Sequence, residues 1–112
     1  MVNASVPMLA HNVFFTLKAS TSANRQKLVD SCHEYLSSHP GVVFYAAGQR
    51  SPDLKRPVND LDFDVAVHVI FKDKESQDAY QQAPRHLQFI SENKETWKQV
   101  RVFDSDVFGA TS

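Results

Sequence analysis

The chain predicts an α+β domain in which strands and helices follow the order β-α-β-β-α-β. This split βαβ arrangement closes a four-stranded antiparallel sheet with its helices on one face. Three observations carry the prediction. The stretches HNVFFTLK (11–18) and DFDVAVHVIF (62–71) alternate apolar residues with a period of two. Leu28, Cys32, Tyr35 and Leu36 recur at helical spacing between them. A proline, Pro84, divides the second helical stretch.

In β1, residues 11–18, His11, Val13, Phe15 and Leu17 share one face, and Asn12, Phe14, Thr16 and Lys18 the other. STSANRQ then supplies capping residues for a helix that His39-Pro40-Gly41 stops. VVFYAAG, 42–48, is β-branched and aromatic and reads as β2. In β3, 62–71, Phe63, Val65, Val67, Val69 and Phe71 alternate onto the core side. KDKESQDAYQQ is helical, and Pro84 suits the first turn of a fresh helix running to about Lys94. WKQVRVFDS, 97–105, is β4, and FGATS reads as a frayed tail.

With 112 residues the chain fits one domain, 1–112 with a core over about 10–106. A domain of this size buries roughly 65% of its unfolded surface. Twelve basic residues against thirteen acidic ones, scattered along the chain, argue against a nucleic-acid footprint. MVNASVPMLA lacks a basic start and a long apolar run, so neither a signal peptide nor a membrane anchor is expected. Without a secretory signal, the sequon Asn3-Ala4-Ser5 carries no weight. The single cysteine, Cys32, allows no internal disulfide and fits a reducing, cytoplasmic setting.

A one-sided sheet should turn a polar back to water. This one carries Phe14, Ala66, His68 and Ile70 there, with β2 apolar on both faces. The pattern predicts a homodimer that covers the back face with a second copy.

Laid out in this order, HNVFFTLK, AYQQAPRHLQF (79–89) and VRVFDS (100–105) resemble the stress-responsive dimeric α/β-barrel, or Dabb, family over nearly the whole chain. The family opens on a His-led strand, carries a tyrosine followed by a His-Pro-x-His step, and closes on a strand ending in Phe-Asp. Ala83 replaces the first histidine of that step, while His86 keeps the second. The resemblance implies a ferredoxin-like protomer whose dimer closes a barrel. It further implies similarity at His11, Tyr80 and His86 to a plant polyketide cyclase of the family. There the equivalent positions line a pocket for a linear polyketide and promote an aldol closure without a cofactor.

His86 falls at the third position of the helix begun by Pro84, where unpaired N–H groups and the positive dipole end favour a neutral imidazole. With an ordinary pKa of about 6.5 it can act as a general base. The plainer role is a helix cap or a bond to the β1 backbone. Tyr80 either holds a substrate oxygen or is a core tyrosine with a satisfied hydroxyl. In a continuous helix, residues six apart point about 240° from each other, so the pair can converge only if the Pro84 break re-aims the second helix.

His11 heads a central strand beside the end of β3, making His68 a companion if the register brings them to one face. Phe15, Phe63, Phe89 and Trp97 are expected to wall the pocket, with His68 as a further ligand contact. His33 and His39 read as solvated, and no metal or cofactor site is expected. The loop 50–60, with two prolines, reads either as a lid or partner-binding arm or as a mobile tip. Two functions remain open. One is a cofactor-free cyclase or lyase acting on a small apolar, polyketide-like molecule through His86, Tyr80 and His11. The other is a non-enzymatic, stress-induced dimer that binds such a molecule or serves as a scaffold.

Overall fold

The structure is a computed structural model that describes residues 6–110, so the sequon at Asn3 lies outside the described residues. Four strands, β1 (Met8–Leu17), β2 (Val42–Gln49), β3 (Val65–Phe71) and β4 (Trp97–Val107), alternate with α1 (Ser22–Leu36), α2 (Lys74–Gln82) and α3 (Pro84–Asn93). The strands form one antiparallel sheet in the order β2-β3-β1-β4. This is the expected ferredoxin-like topology, and all three helices lie on one side.

Local chemistry sets the helix ends. The Thr21 hydroxyl accepts the Asn24 N–H at the start of α1, and the Asp73 carboxylate accepts the Ser76 N–H at 2.8 Å at the start of α2. Ser38 at φ 63° and Gly41 at φ 82° turn the chain out of α1 into β2. A Cβ on Gly41 would collide with the Ser76 side chain, so this turn also needs a glycine for space.

Register sorts the side chains. Val13 stands opposite Val67 on one flank and Val102 on the other, placing Leu9, His11, Val13, Phe15 and Leu17 under the helices. From β3, Val65, Val67, Val69 and Phe71 point the same way and are almost wholly buried. They meet Leu28, Val29, Cys32 and Leu36 from α1, Tyr80 from α2 and Phe89 from α3. Burying each Val, Leu or Phe side chain contributes roughly 1.5–3 kcal/mol, which makes this seam the main source of stability. Cys32 is fully buried, and burial pushes its thiol up to about 12.

The structure departs from the sequence expectation at three points. Strand β3 begins at Val65, and Phe63 precedes it, stacked edge-on against Phe14 with ring centroids 5.0 Å apart. Phe14 pairs with Ala66 and Arg101 on the back of the sheet, so Phe63 belongs to that face. His39 is buried rather than solvated. Its Nε2 hydrogen-bonds the Tyr35 carbonyl at 2.7 Å, capping the end of α1.

The loop between β2 and β3 does not hang free along its whole length. Asp60 pairs with Arg101 of β4 at 2.8 Å, and the Asp62 carbonyl accepts from the Thr16 hydroxyl and from Arg101. These contacts draw residues 60–63 across the back of β1, whereas Leu54 and Val58 remain exposed.

Candidate functional site

Helices α2 and α3 are two short helices because Pro84 lacks the N–H that a continuous helix needs. Ala83, extended at φ −65° and ψ 139°, is the joint. The bend brings residues six apart into contact, with Tyr80 and His86 ring centroids 4.6 Å apart. Tyr80 is the buried residue of α2, and His86, Phe89 and Asn93 form the buried stripe of α3.

The two rings form the roof of a cavity of about 450 Å3 whose floor is β1 and β4. Phe15, Phe89, Trp97, Val100 and Val102 make most of its walls. Its open flank follows from the layer geometry: β4 is the sheet edge, and Val100 and Val102 on its inner face remain 38% and 49% exposed.

At the inner end, His11 Nδ1 lies 2.6 Å from Asp104 Oδ1, its cross-strand partner on β4. That bond fixes the ring, and His11 packs edge-on against Tyr80 at 6.0 Å. His39 also packs edge-on against Tyr80, at 4.9 Å and 82°. One phenol is thus enclosed by three imidazoles and Phe71, and burial pushes its pKa up, so it stays protonated across neutral pH.

His86 moves the opposite way. Burial lowers its pKa, and the nearby His11 and His39 add to that, against a backbone hydrogen bond at Gln81 that favours the charged ring. The ring is therefore neutral at pH 7. Its Nδ1 is buried with no hydrogen-bond partner among the described residues, as is Trp97 Nε1. A cavity walled by hydrocarbon thus holds a basic nitrogen, a protonated phenol and a carboxylate-held imidazole, the elements needed to move a proton beside a carbonyl.

Of the residues expected from sequence, the cavity gathers His11, Tyr80, His86, Phe15, Phe89 and Trp97. It excludes Phe63 and His68. His68 pairs with Asn12 across the back of the sheet, its Nδ1 2.7 Å from the Asn12 side-chain oxygen, because the register sets His11 opposite Val69 instead. His68 is therefore no companion of His11 and His86. Asp104 and His39 are the residues that sequence reasoning missed. The Phe-Asp ending of β4 was the available signal for Asp104, but its meaning depends on the pairing with β1.

The sequence model of the Dabb family, described as the stress responsive A/B barrel domain, matches residues 9–107. Solved structures share the fold. A Dabb family protein with a ferredoxin-like fold from Mesorhizobium loti superposes with a TM-score of 0.73 at 22% identity, covering 92% of this chain and 99% of its own. A dimeric ferredoxin-like protein of unknown function from Thermobifida fusca gives 0.73 at 14% identity, covering 96% and 99%. The hydroxynitrile lyase of Passiflora edulis gives 0.72 at 17% identity, covering 95% and 98%. No curated protein sequence matches the chain.

Proposed function

Since the chain belongs to the Dabb family, we propose that its cavity is a cofactor-free proton-transfer site for a small apolar carbonyl compound, acting as a polyketide-type cyclase or a lyase. The observation that carries this reading is the contact of a neutral His86, whose Nδ1 has no hydrogen-bond partner among the described residues, with a protonated Tyr80 inside an apolar cavity. His86 takes the proton from the carbon next to the carbonyl, and Tyr80 donates a hydrogen bond to the developing enolate oxygen. In the cyclase arm the carbanion then attacks a second carbonyl of the same chain. In the lyase arm His86 instead takes the proton of the substrate hydroxyl, and the C–C bond breaks as the new carbonyl forms, its electron pair leaving with the departing carbanion, which is cyanide for a hydroxynitrile. His86 returns the proton in the last step. His11, held by Asp104, anchors the polar end of the substrate.

The lyase arm is supported by the likeness to the Passiflora edulis enzyme. Self-association through the back face is part of the same reading, supported by neighbours described as dimeric. The family description supports a part in stress response.

Two substrate types test the activity: linear poly-β-keto thioesters, followed by chromatography of the cyclised product, and aromatic hydroxynitriles, followed by aldehyde release. His86→Ala should lower turnover roughly 10²- to 10⁴-fold, the usual worth of a general base. Tyr80→Phe should lower turnover with little change in KM. Saturable binding of these compounds with turnover no faster than buffer would replace the enzyme with a binding protein. Undiminished activity in both variants would remove the two residues from the mechanism.

A further inference from the structure

A second cavity, of about 580 Å3, opens at the far end of β2, where Gln49, Arg50 and Ser51 face Ser20 and Arg25 at the start of α1, with Asp64 beside them. It shares no lining residue with the cavity under α2 and α3, and β2 and β4 are opposite edges of the sheet.

Of its two guanidinium groups, that of Arg25 is held in place by neutral acceptors, and neither is in an ion pair among the described residues. Arg25 Nε donates to the Gln49 side-chain oxygen at 3.0 Å, and its Nη1 donates to the Ser20 carbonyl at 2.8 Å and the Ser20 hydroxyl at 3.1 Å. Gln49 is in turn fixed by Gln26 at 3.2 Å. Arg50 Nη1 is buried and has no acceptor among the described residues. The carboxylate present is engaged by neutral donors: Asp64 accepts the Leu17 N–H at 2.8 Å and, within the cavity lining, the Ser20 hydroxyl at 2.6 Å. Neither arginine is among the ion pairs of the described residues. Two positive forks thus face one cavity with one carboxylate, and a covered guanidinium nitrogen lacks the acceptor that such a group needs.

We propose that this cavity is an anion-binding site that takes the phosphate or carboxylate group of a small molecule. Arg50 supplies the bidentate contact, Arg25 the second charge, and the Ser51 hydroxyl a neutral donor at the rim. The planar fork of arginine matches both head groups, so the choice between them is made by experiment.

Titrating 15N-labelled protein with inorganic phosphate and, separately, with acetate at constant ionic strength tests the site. Saturable shifts confined to Arg25, Gln49, Arg50 and Ser51 are expected with at least one anion, and the tighter binder identifies the head group. Arg50→Gln should weaken binding about tenfold or more. Ser51→Glu, at an exposed position, should abolish it by placing a carboxylate in the cavity while leaving the fold and the other cavity unchanged. No saturation with either anion, or equal affinity in both variants, overturns the proposal. A fall in oligomer mass on adding phosphate also overturns it, because the arginines would then be holding a second copy of the chain.

Discussion

At the scale of single residues, the imidazole of His86 gives the sharpest expectation. Its folded pKa lies below the unfolded value of about 6.5. As pH falls through the window just below that value, the unfolded chain takes up a proton that the folded chain does not. Stability is then lost on acidification and is flat, on this account, at higher pH. His86→Gln should therefore lose less stability than the parent between about pH 7.5 and about pH 5, read as urea midpoints. The same depressed pKa keeps the base competent in mild acid, so turnover should hold through neutrality and decline only below about pH 6.5. A profile falling from pH 8 downward would assign the base to another group.

Glycines give a second contrast at this scale. Gly41→Ala meets both a left-handed backbone and the Ser76 side chain, and should cost more than about 1 kcal/mol. Gly48 has open space where a Cβ would be, so Gly48→Ala should be neutral or stabilising by up to about 1 kcal/mol. Denaturant unfolding of the two variants checks both signs.

At the scale of elements, Phe71→Ala on β3 should cost about 3–5 kcal/mol, because the ring is fully buried beneath Tyr80. Phe63→Ala should cost the isolated fold less, since that ring is half-buried against Phe14 on the outer face. If the two costs were reversed, the assignment of faces would be wrong. Part of this layout is legible in the sequence. Alternation gave the inner faces of β1 and β3, and Pro84 gave the break that joins Tyr80 to His86. Those signals are local, read within one element. Phe63 was misplaced because the alternation continues upstream of Val65 although the ladder does not. His68, Asp104 and His39 depended on pairing between segments far apart in sequence, and no periodicity within one segment encodes a register.

At the scale of the whole molecule, the chain is a slab measuring 43 × 38 × 18 Å, one sheet and one layer of helices thick. Phe44 and Phe103, each 53% exposed, lie on its uncovered side together with Phe14 and Ile70. A stable interface needs about 1,200 Å2 or more in total, and this face is broad enough to supply it. Phe103→Glu or Phe44→Glu should convert a two-chain mass to a one-chain mass in light scattering, with the helical signal retained. A wild-type protein that runs as a single chain at micromolar concentration would remove the dimer from the reading.

The sealed thiol of Cys32 bears on how the molecule opens. Being fully buried and pushed up to about 12, it is neither reachable nor ionised while α1 is docked on β3. A thiol so sheltered stays reduced in either redox setting and therefore does not bear on where the protein works. Its alkylation must wait for the helix to lift, so under conditions where closing outruns the reagent the labelling rate measures the population of opened molecules. The chain thus carries its own clock for breathing of the α1 layer. A ligand seated under α2 and α3, against Leu36 at the end of α1, should slow that clock in proportion to its occupancy.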